Sequence, residues 1–212
     1  MTRLIFIRHG QSIANVESRF AGHSNFDLSE VGYRQAELAA AYLKEHEKIT
    51  AVYSSDLLRA WHTALPTARL FGLTPIPDTG LREIYAGKWE GLTFAELQER
   101  FPEEYRTWRQ ECSRLRCPGG ESMSEVYDRA RETVQRIAAA NPGGTLAIAT
   151  HAMFLRALHA YAEGYGREEA GVFVSPPNAS LNIYTFDNGK LVPEKLDIVS
   201  HLGDLITSCR KE

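Results

Sequence analysis

The chain has 212 residues, enough for one ordinary domain with a substantial core, or for one domain carrying a small insertion. Hydrophobic residues make up 43% and charged residues 24%, a globular composition, and the net charge of −3 argues against a nucleic-acid or membrane-surface partner. Any anion site must therefore be built from local arginines. The three cysteines, Cys112, Cys117 and Cys209, are odd in number and form no C-x-x-C pair. That pattern points to reduced thiols rather than a disulfide framework or a zinc site. The first strand starts at Arg3, leaving no room for a secretion signal, and no apolar run approaches membrane length, so a cytoplasmic location is expected.

Leu4-Ile5-Phe6-Ile7 shows no polar alternation and predicts a strand buried on both faces. It ends in Arg8-His9-Gly10-Gln11-Ser12, a cation and an imidazole at the carboxyl end of a strand, where open α/β sheets hold their ligands. Gly10 reads as the residue that lets backbone approach a bound group. Ser29 caps a helix on which Leu38, Ala39, Tyr42 and Leu43 recur at helical spacing. Val52 and Tyr53 predict a short strand that runs through the capping residues Ser54, Ser55 and Asp56 into a helix, with Arg59 in its first turn. Free N–H groups and the positive end of the helix dipole make that turn favourable for an anion. Leu57, Trp61, Ala64, Leu65 and Ala68 share one face of this helix, and Pro66 is expected to kink it.

Pro75 to Asp78 predicts another strand, followed by Leu81-Arg82-Glu83. Gly91 to Gly120 has a different texture, rich in charge and aromatics. Two short helices are expected there, at 93–100 and 103–111, forming a cap inserted at about 91–120 over the site. A helix from Ser122 to Ala140 stops before Asn141-Pro142-Gly143-Gly144. Thr145 to Thr150 is a second buried strand that delivers a histidine, His151, ahead of a helix-like segment. Ser180 to Phe186 and Lys190 to Ile198 flank Asp187-Asn188-Gly189, a hairpin signal. The alternation predicts an α/β protein, a three-layer α/β/α sandwich in one domain over 1–212. Its central sheet is mostly parallel, with an antiparallel C-terminal hairpin and the small helical cap.

These segments resemble a known family in order along the chain. Arg8-His9-Gly10 resembles the Arg-His-Gly motif of the histidine phosphatase superfamily, the phosphoglycerate mutase-like group. Asn15 is similar to its polar phosphate-pocket position, and Asp27-Leu28-Ser29 with Gly32 to the start of its first long helix. Ser54-Ser55-Asp56-Leu57 with Arg59-Ala60 resembles its second motif, Leu81-Arg82-Glu83 with Gly87, Trp89, Glu90 and Gly91 its acid-bearing segment, and Thr150-His151 its second histidine.

The resemblance implies phosphoryl transfer, in which catalysis is positioning plus stabilisation of charge on three equatorial oxygens. His9 is then the nucleophile, with one ring nitrogen unprotonated and the other held by a partner, a backbone carbonyl in the family. Arg8 and Arg59 bind phosphoryl oxygens, His151 donates a further hydrogen bond, and Glu83 protonates the leaving alkoxide before activating water. Substrate contacts are expected from Asn15, Gly22, His23 and Ala152. No metal and no cofactor are implied, and the partner is a small phosphorylated substrate. Read singly, Arg59 is a solvated helix residue and Glu83 a surface carboxylate; only the joint pattern lifts them. His46, His62, His159 and His201 are assigned to structure or solvent, and Trp89, Trp108 and Tyr105 to the core.

Mutases of this family carry an adjacent arginine pair in the inserted region that holds the substrate carboxylate. Residues 105–117 have no such pair, and Pro118-Gly119-Gly120-Glu121-Ser122 resembles the phosphatase branch. A phosphomonoester hydrolase is expected, with a cofactor-dependent phosphoglycerate mutase as the alternative. Arg106, Arg109 and Arg116 are expected to reach a carboxylate or second phosphate of substrates such as phosphoglycerates, phosphoserine, sugar phosphates or ribazole phosphate. A non-catalytic binding module would lack His9 or His151, and both are present; no G-x-G-x-x-G or P-loop follows a strand.

Overall fold

The apolar run at residues 4–7 is buried on both faces, which requires a layer of helices on each side of the sheet it belongs to. In the computed structural model, which describes residues 1–207, that strand is β1 (Thr2–Arg8). The others are β2 (Ala51–Ser54), β3 (Ile76–Pro77), β4 (Thr145–Thr150), β5 (Leu181–Asp187) and β6 (Lys190–Ile198). They form one six-stranded sheet in the order β3-β2-β4-β1-β5-β6. The pairs β1–β4, β4–β2 and β2–β3 are parallel; β5 runs antiparallel to β1, and β6 to β5. The expected mixed sheet and C-terminal hairpin are thus present.

Side chains alternate across this sheet and meet a different helix pair on each face. Ile5, Ile7, Ala147 and Ala149 pack with Ala39 and Leu43 of α2 (Glu30–His46) and with Ala60, Ala64 and Ala68 of α3 (Leu58–Phe71). Leu4, Phe6, Leu146 and Ile148 pack with Val126, Ala130, Val134 and Ile137 of α6 (Met123–Ala140) and with Phe154 and Leu158 of α7 (Ala152–Ala162). A single turn, α1 (Ile13–Val16), follows β1. The cap holds α4 (Phe94–Arg100) and α5 (Pro102–Gln110), and it contributes Leu97, Cys112 and Leu115 to the core on the α6–α7 side.

Three local expectations change. The α3 helix runs unbroken through Pro66, which is buried in it. Its start is not capped by Ser55 or Asp56: the N-cap is Leu57, the Leu58 N–H donates to Asn25 Oδ1 at 2.8 Å, and Asp56 instead pairs with Arg82. The strand expected at 75–78 shortens to Ile76–Pro77, where proline has no N–H to extend the ladder. Cys112 and Cys117 are buried free thiols, and Cys209 lies outside the described residues. Among the described residues no helix is long and apolar enough to cross a membrane.

Candidate active site

Strands β1 and β4 lie parallel and in register, Arg8 opposite Thr150, so the next residues, His9 and His151, leave the sheet side by side. The His9 N–H donates to the Thr150 carbonyl at 2.9 Å, and the two imidazole centroids are 5.2 Å apart. Beyond His9 the chain passes against the start of α2, where a Cβ on Gly10 would lie 2.5 Å from the Gly32 carbonyl oxygen. Close contact of backbone with backbone is what requires this glycine.

A cavity of about 80 Å³ opens here, lined by the polar residues Arg8, His9, Asn15, Arg59 and Glu83 and by the apolar Phe20, Phe94, Trp108 and Met153. Arg8 is buried and donates to the Pro176 carbonyl. Arg59 is also buried and donates to the carbonyls of Gly22 at 2.7 Å and Ser24 at 2.9 Å. These bonds use two of the five N–H groups of Arg59 and lock the 22–24 loop around it. Gly22 fits there with φ +49°, because a Cβ would lie 2.2 Å from Glu90 Oε1. The Glu90 carboxylate accepts the backbone N–H groups of His23, Ser24 and Ala86.

Glu83 approaches from the loop after β3. Its Oε1 accepts the N–H groups of Ile84 at 3.0 Å and Met153 at 2.9 Å, and its Oε2 accepts that of Ala152 at 3.2 Å. It therefore caps α7 from outside, a task the N-cap residue His151 leaves undone. Arg129 of α6 holds this loop, donating to the carbonyls of Gly80, Arg82 and Glu83 at 2.9, 2.7 and 3.2 Å while pairing with Glu121.

The proton positions on His9 follow from its partners. Nδ1 lies 2.7 Å from the Gly10 carbonyl, which can only accept, so Nδ1 carries the hydrogen and Nε2 keeps its lone pair in the neutral ring. Burial, and then the charges of Arg59 and Arg8, hold the His9 pKa well below 6.5. Burial and Arg59 do the same to His151. Burial lowers Arg59 to about 10, with Glu83 and Glu90 opposing the shift, so it stays charged at neutral pH. The site thus joins an unprotonated imidazole, fixed cations and a carboxylate at one small cavity, an arrangement able to receive a tetrahedral anion and attack its centre.

The other expected residues are placed as follows. Gly22 and Ala152 are in the cavity wall. His151 is fully buried beside His9, its Nε2 2.8 Å from Ser55 Oγ and its Nδ1 without a hydrogen-bond partner. His23 lies outside the wall; its Nε2 bonds the Glu83 carbonyl at 2.9 Å, so it braces the Glu83 loop instead of facing the cavity. Arg106 and Arg116 are both exposed and turn to Glu103 and to Glu125 and Ser122, because local carboxylates and a helix cap compete for them. Arg109 lies over the Trp108 ring and borders a neighbouring chamber. Trp89 is core, whereas Trp108 forms wall. His62 pairs with Asp27, and His46 stacks on Tyr42.

Sequence reasoning gave the supports no role of their own. Asn178 donates to the His9 carbonyl and to Asn15 Oδ1, and Thr63 Oγ1 accepts the Gly10 N–H. Arg129 was equally unmarked, and Glu90 stood in the segment resembling the acid-bearing motif with no role of its own. Single polar residues in helices and loops carry no periodic signal, and only the fold brings them to the site.

A family profile described as "Histidine phosphatase superfamily (branch 1)" matches residues 4–198. A bifunctional protein of Mycobacterium tuberculosis is 44% identical over 150 residues, 71% of this chain and 41% of that protein, so the chain spans under half of that relative. Phosphoserine phosphatase 1 of Hydrogenobacter thermophilus is 32% identical over 211 residues, 100% of this chain and 99% of that protein. Among solved structures, mycobacterial glucosyl-3-phosphoglycerate phosphatase in complex with VO3 aligns with a TM-score of 0.84 at 31% identity, covering 93% of this chain and 99% of that one.

Proposed function

The chain belongs to branch 1 of the histidine phosphatase superfamily, and from that membership we propose that it is a metal-independent phosphomonoesterase acting on small phosphorylated metabolites in the cytoplasm. His9 Nε2 attacks phosphorus, Glu83 protonates the departing alkoxide, and the same carboxylate then draws a proton from the water that cleaves the phosphohistidine. Arg8 and Arg59 hold the equatorial oxygens, Asn15 and Gly22 border them, and His151 donates from Nδ1. The observation that carries this reading is the His9 ring, neutral and locked on the Gly10 carbonyl at 2.7 Å beside two buried guanidinium groups. Two fixed cations supply the charge that a divalent ion brings in metal-dependent enzymes. Among the described residues no three His, Cys, Asp or Glu side chains group as a metal site would require. The buried free thiols Cys112 and Cys117 support a reducing compartment.

The test is a panel of phosphomonoesters assayed after exhaustive EDTA treatment, with and without 2,3-bisphosphoglycerate. Phosphate release is expected to survive EDTA, to be inhibited by vanadate, and to exceed interconversion of 3- and 2-phosphoglycerate by at least about tenfold, or about 1.4 kcal/mol in barrier. The short cap without an arginine pair supports this ratio, since a mutase must shield its phosphoenzyme from water. Activity restored only by Mg²⁺ sinks metal independence. Isomerisation faster than release, primed by bisphosphoglycerate, makes the protein a mutase.

The Arg129 clamp has its own expected result. Arg129→Met removes donors to three loop carbonyls and breaks the ion pair with Glu121, which should cost about 1–3 kcal/mol of unfolding free energy in urea titration. A loss below a few tenths of a kcal/mol would show that the Glu83 loop holds itself.

A further inference from the structure

Pro176, whose carbonyl anchors Arg8, also borders a cavity of about 290 Å³ that shares no lining residue with the His9 cavity. Its wall includes His159 of α7, Phe173, Asn182 and Tyr184 of β5, and Asp197 of β6. Asp197 reaches it through a break in the alternation of the strand. Leu196 packs on the α6–α7 side of the sheet and Ile198 on the α2–α3 side, although residues two apart on a regular strand share a face. Leu181 pairs with Ile198 and Ile183 with Lys195, so Leu196 and Asp197 together stand opposite the single Asn182. Such a bulge re-aims a side chain. Asp197 takes φ +52°, a left-handed conformation that aspartate tolerates better than most residues, and its N–H donates to Asn182 Oδ1 at 3.0 Å.

The redirected carboxylate has no counter-ion. Among the described residues it makes no ion pair and accepts no hydrogen bond, and the charge of Arg8 reaches it only at longer range. His159 does not neutralise it. Burial holds that imidazole below 6.5, so the ring is uncharged at neutral pH, and Glu163 Oε1 lies 3.7 Å from its Nε2. The His159 and Phe173 rings, with centroids 4.0 Å apart, and the Tyr184 ring complete the wall. An unpaired carboxylate beside aromatic faces favours an organic cation, because ion pairing and cation–π attraction act together.

We propose that this cavity is a second ligand site, separate from the His9 cavity, and that it takes a small aliphatic ammonium ion with Asp197 as counter-ion and Phe173 and Tyr184 against its carbon chain. The test needs no turnover, so failure of the phosphatase reading leaves it standing. Butylamine titrated into isotope-labelled protein at neutral pH should shift the amide resonances of His159, Tyr184 and Asp197 saturably. 1-Butanol, similar in shape but uncharged, should bind more weakly by about tenfold or more, the worth of one charge-assisted hydrogen bond. Asp197→Asn should weaken butylamine by the same factor. Asparagine adopts the left-handed backbone readily and keeps the N–H bond to Asn182, so folding is not at stake. Saturating inorganic phosphate should leave the amine bound. Equal affinity for amine and alcohol removes the charge from recognition and overturns the site. Unchanged affinity in Asp197→Asn, shifts centred on other carboxylates, or no saturable binding overturns it as well. Displacement of butylamine by phosphate overturns its separation from the His9 cavity.

Discussion

His9→Ala is expected to abolish phosphate release from every ester while leaving the fold intact. The substitution truncates a side chain at a strand end whose backbone bond, His9 N–H to the Thr150 carbonyl, remains. Wild-type enzyme quenched in alkali during turnover should carry phosphate on His9, labile to acid. The pH dependence follows in sign from the electrostatics. Burial, Arg59 and Arg8 all disfavour the protonated ring, so the required neutral form persists as pH falls past 6.5. The acid limb of kcat/KM should therefore lie well below 6.5, and it should move upward in Arg59→Met, where one repelling charge is gone. Label trapped on a serine or aspartate, or full activity in His9→Ala, excludes this nucleophile. An acid limb at or above 6.5 would mean the ring is not the desolvated group described here.

Glu83→Gln should lower kcat for alkyl phosphates by about 10²–10⁴-fold, the usual worth of a positioned acid or base. The amide carbonyl keeps the acceptor for the Ile84 and Met153 N–H groups, so the capping of α7 largely survives. The leaving group separates the two roles of the carboxylate. p-Nitrophenolate departs without a proton, so the variant should still transfer phosphate to His9 quickly from the aryl ester and then stall. A burst of nitrophenol equal to the enzyme concentration, followed by slow turnover and accumulated phosphohistidine, is the expected trace. Equal, small losses for alkyl and aryl esters would remove Glu83 from both proton transfers.

Several elements were legible from residue pattern alone. The unalternating run at 4–7 and its counterpart at 145–150 required strands covered on both faces, and both are covered. Ser29 and Ser122 announced their helices, and both side chains accept the backbone N–H groups that capping demands. Asp187-Asn188-Gly189 announced the hairpin between β5 and β6. Such features are local: they depend on side-chain period, hydrogen-bonding capacity and allowed φ within a few residues, so sequence alone determines them.

The cap arginines show where that reach ends. Arg106, Arg109 and Arg116 are equivalent by composition, yet two turn to neighbouring carboxylates and one faces the chamber beside the His9 cavity. Arg156, in the helix-like segment after His151, faces the same chamber. His23 sat in the right loop but bonds the Glu83 backbone, and Gly10 answers to Gly32 across the fold. What the sequence determined by itself was the strands, the capped helices, and the Arg8-His9 and His151 ends that mark the sheet edge. What only tertiary structure decided was which side chains meet there, because that depends on residues far apart in the chain, such as Asn178 on His9 and Ser55 on His151, brought together by strand register and helix packing that no local pattern encodes.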